Sequence, residues 1–407
     1  MATAPPKNVV VVGAGIVGAS IAWHLAVLGA QVTVITSEAE IAGGTATPNS
    51  FAWINANRGN ARHYYELRRR SMARWRTLAD VEDKANGSAV PGLAGLLRWT
   101  GAIQWTQQPE ALDVFVDEHT RWGYYVARID NAELAEREPA LSESALPPAG
   151  GAVETPHEGS VEPALAAQLL LEQATAVYGA RVLVATTATA VTVSAAAGKQ
   201  VTGVATADGQ HLAADHVVVA AGLGSVPLLA TAGVGLPVYG RPGLLAHSRP
   251  VLLPHHRRLL NGIVLSAGPH VRQTLAGRLL VGADFAGGWT GNGDGRRSLT
   301  DLDADEQRQA GVALLEEAKK LFRPEDAALV ELDFVTVGHR PQPRDGLPIV
   351  DANVLPGLAV AVMHSGVTLA PIVGDLLAKA IVEGEVDKDL EAFGLKRFGD
   401  TAAQELA

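Results

Sequence analysis

The stretch Val9-Val10-Val11-Val12-Gly13-Ala14-Gly15-Ile16-Val17-Gly18 limits the folds open to this chain more than any other. Four consecutive β-branched residues are too short a run for a helix and suit a parallel strand buried on both faces. They lead directly into G-x-G-x-x-G, with Gly13, Gly15 and Gly18 at the motif positions, and a helical pattern follows up to Gly29. In such a unit Gly13 makes the tight turn, Gly15 lets the backbone approach a pyrophosphate, and Gly18 lets the helix lie close on the strand. The helix start then turns free N–H groups and a positive dipole end toward the phosphates. Glycine spacing alone is a weak signal. Here a strand precedes it, a helix follows it, and residues 31–35 read as a second strand, so the context points to a dinucleotide-binding βαβ unit.

A chain of 407 residues has room for two or three domains, and 47% hydrophobic with 19% charged residues is a globular composition. A net charge of −10 argues against a nucleic-acid surface. There is no cysteine, which excludes disulfides and cysteine-ligated metal and suits the cytoplasm, the expected location. Residues 1–7 are a short polar lead without a signal-peptide core. Residues 217–240 carry no charge, but four glycines and two prolines interrupt them, so they read as a buried strand followed by loops and not as a membrane span.

An acid is expected at the end of the second strand, to bind ribose hydroxyls. Thr36 stands there, followed by Ser37 and Glu38. Either Glu38 reaches the ribose from the loop, or the Thr36 and Ser37 hydroxyls take its place. No basic residue is at hand for a 2′-phosphate. The loop Ile41-Ala42-Gly43-Gly44-Thr45-Ala46-Thr47-Pro48 is rich in backbone donors and hydroxyls that can line a cofactor. Residues 58–76 are basic around Arg68-Arg69-Arg70. Leu67, Ser71, Trp75 and Leu78 share one helical face, which leaves the arginines on a solvated face.

Residues 96–106 alternate like a strand, 110–122 and 133–138 read as helices, and Pro147-Pro148 with Gly150-Gly151 marks a boundary. A helix over 164–178, a strand over 181–184 and a hairpin of 190–194 with 200–207 through Ala197-Gly198 lead to a strand ending at Ala221-Gly222. Residues 259–282 read as strands, with His270 and Arg272 on one face. A helix over 301–321 stops at Pro324, and a strand runs over 328–337. The block Gly338-His339-Arg340-Pro341-Gln342-Pro343-Arg344-Asp345-Gly346 follows. After it come a strand over 358–362, the turn Met363-His364-Ser365-Gly366 and a helix over 367–382.

The glycine fingerprint, Gly43-Gly44-Thr45, residues 215–222, and the Arg340-Pro341 to Gly346 block with its His364-Ser365-Gly366 sequel occur in this order over nearly the whole chain. Together they resemble the FAD-dependent amine and amino-acid oxidoreductases of the D-amino-acid oxidase / glycine oxidase superfamily. The resemblance implies an α/β fold: a Rossmann-like FAD-binding domain from residues 1–85, 155–236 and 335–407, and a substrate domain on a large antiparallel sheet from 86–154 and 237–334. Arg340 matches the arginine that grips the substrate carboxylate over the flavin, a role its bidentate fork suits. Arg344 is a second contact. His364, Ser365, Gly366, Val367, Thr368 and Leu369 match the turn and helix start facing the flavin N1–C2=O edge. Gly43, Gly44, Thr45 and Ala46 match the cofactor loop. Val191 matches a position whose backbone holds the adenine. His270 sits where relatives place an aromatic residue over the substrate, with Arg272 alongside.

With no cysteine, a cysteinyl–flavin bond is excluded, so the FAD is expected to be non-covalent. No lysine lies between Lys199 and Lys319, so the oxygen-activating lysine of the monomeric sarcosine oxidases has no counterpart there. No metal is expected. The implied reaction oxidises the C–N bond of a D-amino acid, glycine or a sarcosine-like compound, by hydride transfer to flavin N5. The imine then hydrolyses to an oxo acid or aldehyde plus amine or ammonia, and the electrons pass to O2, a quinone or another carrier. The alternatives are a 2-hydroxy acid as donor, with the same arginine, and a binding protein on a relic cofactor fold, against which the intact glycines and the intact Arg340 block argue. The expected partner is a small molecule, with no nucleic acid and no integral membrane segment.

Overall fold

β1 (Asn8–Val12), α1 (Ile16–Val27) and β2 (Gln31–Ile35) form the expected βαβ unit. The computed structural model describes residues 7–56, 61–82, 89–106, 109–147, 151–195, 199–283 and 298–399. β1 is buried on both faces, which explains its unbroken valines. Val9 and Val11 pack into a layer of helices: α1, α2 (Arg62–Ala79) and α3 (Pro163–Tyr178). Val10 and Val12 pack the other way, with Val191 and Val204 of a three-stranded antiparallel sheet (Ala188–Val193, Val201–Thr206, His211–Ala213).

Six strands make the first sheet, in the order Ile349–Leu355, Leu358–Val362, β3 (His216–Val219), β1, β2, Arg181–Leu183. All neighbours are parallel except the first pair. The last long helix, α4 (Gly366–Val382), returns the chain to α1, where Ser20 Oγ donates to Ala370 O at 2.7 Å. Two ends of the sequence thus close one layer. No helix among the described residues is long and apolar enough to cross a membrane.

An eight-stranded sheet carries the second core. β4 (Val238–Pro250), β5 (His270–Gln273) and β6 (Leu332–Pro343) belong to it, with β6 at the edge and β4 beside it. Its one parallel pair is Ile263–Leu265 with Ala102–Gln104. The helix Ala304–Lys319 packs on its apolar face.

The strand expected over 96–106 is two short strands in different sheets, Leu97–Arg98 and Ala102–Gln104, because the chain turns at Gly101 between them. Pro324 opens a short helix, Pro324–Ala327, and β6 begins only at Leu332 and runs on through Arg340 to Pro343. Prolines 341 and 343 are tolerated because this strand lies at the sheet edge. The expected boundary at 335 therefore falls inside β6. The Ala197-Gly198 turn, Pro148, Gly150 and Arg58 lie outside the described residues.

Candidate active site

Residues of both large sheets line one cavity of about 990 Å³, at the upper end of the range for small-molecule sites. At one side is the fingerprint turn. Gly13 has φ +113°, and a Cβ on it would sit 2.4 Å from Ala220 O of the chain leaving β3. A Cβ on Gly18 would sit 1.9 Å from Gly13 O, so α1 rests on the turn itself. Gly15 caps α1 without a side-chain bond, and the Thr47 hydroxyl accepts the Ile16 N–H at 3.1 Å. The loop over 41–48 therefore folds onto the fingerprint. Thr36, Ser37 and Glu38 line the same region, and the Thr36 hydroxyl accepts the Glu38 N–H at 3.3 Å. Glu38 itself is exposed.

α4 also starts at this cavity, and its N-cap Ser365 makes no side-chain capping bond. The chain caps helices fully elsewhere: Asp130 and Asp303 both make capping boxes. Two positive dipole ends thus open on one cleft without a side chain of the N-cap residue to satisfy them. A close-approach glycine turn and two such helix starts fit a dinucleotide cofactor.

Three guanidiniums line the cleft: Arg68, Arg241 and Arg340. Arg340 on β6 donates from Nη2 to Pro242 O at 3.3 Å, and lies so close over Gly243 that a Cβ there would be 2.2 Å from Nη2. Arg241 on β4 is its direct cross-strand neighbour. Arg68 on α2 is buried. It donates to Asn55 O at 2.9 Å and to Asn55 Oδ1 at 2.5 Å, and its Nη1 is 3.4 Å from Ser365 Oγ. Glu38 is the one carboxylate among the described lining residues.

His364 stands among these cations. Burial first, then Arg340, Arg68 and Arg241, push its pKa from 6.5 down to about 4, so it is neutral at pH 7. Its Nε2 is buried and has no hydrogen-bond partner among the described residues, so a bound ligand can supply one. His270 also lines the cleft, edge-on to Phe51 with ring centroids 4.6 Å apart.

Of the residues expected from sequence, Gly13, Ala14, Gly15, Ile16, Val17, Thr36, Ser37, Glu38, Gly43, Gly44, Thr45, Ala46, Ala221, Gly222, His270, Arg340, His364, Ser365, Gly366, Val367 and Thr368 line the cleft. Gly18 and Leu369 do not: Gly18 lies beneath the turn, and Leu369 is fully buried with its N–H bonded to Ser365 O. Val191 does not either. Its backbone is paired inside the three-stranded sheet and its N–H goes to Thr231 Oγ1 at 3.0 Å, while Thr186, Thr187 and Ala188 reach the cleft. Arg272 is a correction of another kind. It shares the strand face of His270 but is buried beyond the cleft, donating to Phe51 O and 3.4 Å from Glu162. Arg344 is exposed and outside the lining.

The Arg68-Arg69-Arg70 run is likewise not one solvated face. Arg69 pairs with Glu66 at 3.0 Å and Arg70 with Asp387 at 2.8 Å, whereas Arg68 turns inward. Residues 68, 71, 72 and 75 follow the i, i+3, i+4, i+7 spacing of a buried stripe, a signal that was present in the sequence.

Three histidines are held neutral with pKa values near 4, chiefly by burial: His24, His247 and His364. Such groups take up protons in the unfolded chain first. Their contribution is complete above pH 6.5 and is lost as pH falls toward 4. Buried Glu138, raised to about 7, acts in the opposite sense over part of that window but is outnumbered. Urea unfolding of the unliganded chain is expected to lose on the order of 2 kcal/mol per pH unit between pH 6 and 5. A flat profile there would mean these histidines are not held neutral.

No curated protein sequence matches the chain significantly, so kinship rests on the family pattern and on three-dimensional likeness. Glycine oxidase from Geobacillus kaustophilus is 26% identical with a TM-score of 0.75, over 97% of this chain and 99% of that one. L-proline dehydrogenase from P. horikoshii has a TM-score of 0.78 at 21% identity, over 98% and 99%. Iminodiacetate oxidase from Chelativorans sp. BNC1 has a TM-score of 0.74 at 24% identity, over 95% and 98%. These last two likenesses concern the fold alone. The family model for FAD-dependent oxidoreductases matches residues 8–380, the same span that builds both sheets and the cleft, and the chain belongs to that family.

Proposed function

We propose that this enzyme oxidises the C–N bond of a small amino acid or N-substituted amino acid whose carboxylate docks on Arg340. The observation that carries this reading is that Arg340, from the edge of the large sheet, opens on the same cleft as the fingerprint turn and the α4 N-terminus. FAD, when bound, supplies the acceptor for a hydride from the substrate Cα. Arg340 fixes the carboxylate bidentately, which holds the amine-bearing carbon in one orientation. Arg68 and the α4 N-terminus keep a positive potential on their side of the cleft, where it favours an arriving electron pair. His364, neutral at pH 7, offers Nε2 to a hydrogen-bond partner without adding charge. The product imine hydrolyses in water, and O2 or another carrier removes the electrons.

In this reading residues 1–85, 155–236 and 344–407 hold the cofactor, and 86–154 and 237–343, with the whole of β6, shape the substrate side. The test is the visible spectrum of the flavin-loaded protein under anaerobic conditions, with glycine, sarcosine, D-amino acids and L-amino acids added in turn. Bleaching by an amine with release of ammonia or amine on turnover is expected. Bleaching by 2-hydroxy acids alone would overturn the reading, and readmitted air sorts oxidase from dehydrogenase by the speed of recolouring.

A further inference from the structure

We propose that Arg397 is a positioning residue: by pinning the turn over residues 344–348 it sets where Arg340 stands relative to the cofactor side of the cleft. The inference rests on the reading above for the role of Arg340, and not on whether the donor is an amine. β6 ends at Pro343 on the edge of the large sheet, and the next strand, Ile349–Leu355, lies on the edge of the parallel sheet. Residues 344–348 are thus a direct passage between the sheet that carries Arg340 and the sheet that carries the fingerprint. Gly346 of this turn lines the cleft, at φ +78°. The start of the turn is held beside β4, where the Arg344 N–H donates to Pro237 O at 3.0 Å.

Arg397 holds the rest. Its Nε donates to Asp345 Oδ2 at 2.7 Å and its Nη2 to Asp345 Oδ1 at 3.1 Å, and Nη2 also reaches Leu347 O at 3.1 Å. Nη1 donates to Phe393 O at 2.6 Å and to Gly394 O at 3.2 Å, so the guanidinium is locked to its own segment as well. A bidentate fork inside such a network, with the Arg397 side chain only 16% exposed, is unlike the open surface pairs that contribute little. Burial alone would raise the Asp345 carboxyl, but the Arg397 bonds hold it below its ordinary value. The segment that carries Arg397 is anchored on the cofactor side. The Val350 N–H donates to Phe393 O at 3.0 Å and the Leu395 N–H to Asp351 Oδ2 at 3.0 Å. The fully buried Phe393 ring packs beside Tyr64, which lines the cleft. The turn is therefore tied to the parallel sheet through Arg397, while Arg340 keeps its own bond to Pro242 O on the large sheet. Without Arg397 the carboxylate grip survives but its alignment with the cofactor loosens, and a misplacement of about 1 Å can cost about a hundredfold in rate.

The test uses the flavin-loaded enzyme, whichever donor bleaches it, and acetate as a non-oxidisable probe. Arg397→Gln is expected to slow anaerobic bleaching at saturating donor by about tenfold or more, with the acetate dissociation constant, read from the flavin spectrum, within about threefold of the parent. Asp345→Asn should act alike, and the double variant should be no slower than the slower single one, because each removes the same contact. Arg397→Lys keeps the charge without the fork and should recover part of the rate. Parent-like bleaching by Arg397→Gln would overturn the proposal, as would single losses that multiply in the double variant. Acetate binding weakened as far as bleaching is slowed would also overturn it, since the grip itself would then have failed. If Arg397→Gln cannot be loaded with flavin, Asp345→Asn decides by the same criteria.

The outcomes separate this inference from the reading beneath it. A parent enzyme bleached by no amine sinks amine oxidation. The change that acetate makes in the flavin spectrum then decides on Arg397, and an identical change at identical affinity in parent and Arg397→Gln overturns its role. Amine bleaching equally fast in parent and variant sinks Arg397 alone.

Discussion

Replacing Arg340 with alanine is expected to raise KM for carboxylate-bearing amines by about a thousandfold. The guanidinium lies across Gly243 and bonds to Pro242 O, so its fork is set by the sheet before any substrate arrives. Loss of a bidentate charged contact inside a cleft costs about 4 kcal/mol, which corresponds to about a thousandfold. Lysine at this position restores the charge but not the fork, and recovers only part of the loss. Thermal unfolding of the unliganded variant distinguishes this role from a structural one. Arg340 faces Arg241 across the ladder, and like charges placed so are unfavourable. That repulsion offsets the lost bond to Pro242 O, so the alanine variant is expected to combine the raised KM with an unfolding midpoint within about 5 °C of the parent. A sharp fall in midpoint together with an unchanged KM would make Arg340 a structural residue and remove the basis of the proposed chemistry.

Gly18→Ala has the second large effect. A single methyl there meets Gly13 O at 1.9 Å, and neither partner is a side chain that can turn away. Relief requires α1 to lift from the end of β1, which opens the turn that faces the cofactor. Overpacking of this severity costs about 3 kcal/mol or more, and here the strain falls on the binding element itself. The purified variant is expected to carry little flavin and to require at least a hundredfold more FAD for reconstitution. Full flavin content would show that α1 can move without opening the turn. Gly95→Ala is a useful comparison, because nothing lies within 4 Å of a Cβ at that position and its backbone is not left-handed.

The legible parts of this molecule were local. The valine strand, the glycine turn and the following helix are specified within some twenty residues, and Gly13 and Gly18 act as their positions predict. The family resemblance that the ordered motifs carry implied both large sheets. Errors arose where tertiary partners decide. Arg272 and His270 do share a strand face, but two residues of strand, about 7 Å, carry Arg272 out of the cleft to Glu162. Val191 lies three residues past Ala188, where the strand enters the cleft, and that offset is set by pairing with residues 201–206. Arg68 was hidden within a run of three arginines, although its spacing from Ser71, Met72 and Trp75 marks the buried side. Arg241 had no local signal at all. The β4–β6 register brings it to the cleft opposite Arg340, 99 residues away.

The interleaved order of the parallel sheet also governs how the protein comes into being. β1 lies between β2, which emerges from the ribosome almost at once, and β3, which is completed only at Val219. β3 in turn awaits Leu358–Val362, and α1 remains uncovered until α4 has been made. The apolar βαβ unit thus spends most of translation without its lateral neighbours, the situation in which exposed strand edges recruit chaperones or aggregate. Because α4 supplies one wall of the cleft, FAD can be captured in its final setting only after α4 has been made. Cofactor capture therefore follows the making of α4 and not that of the fingerprint turn, although the turn comes first in the chain.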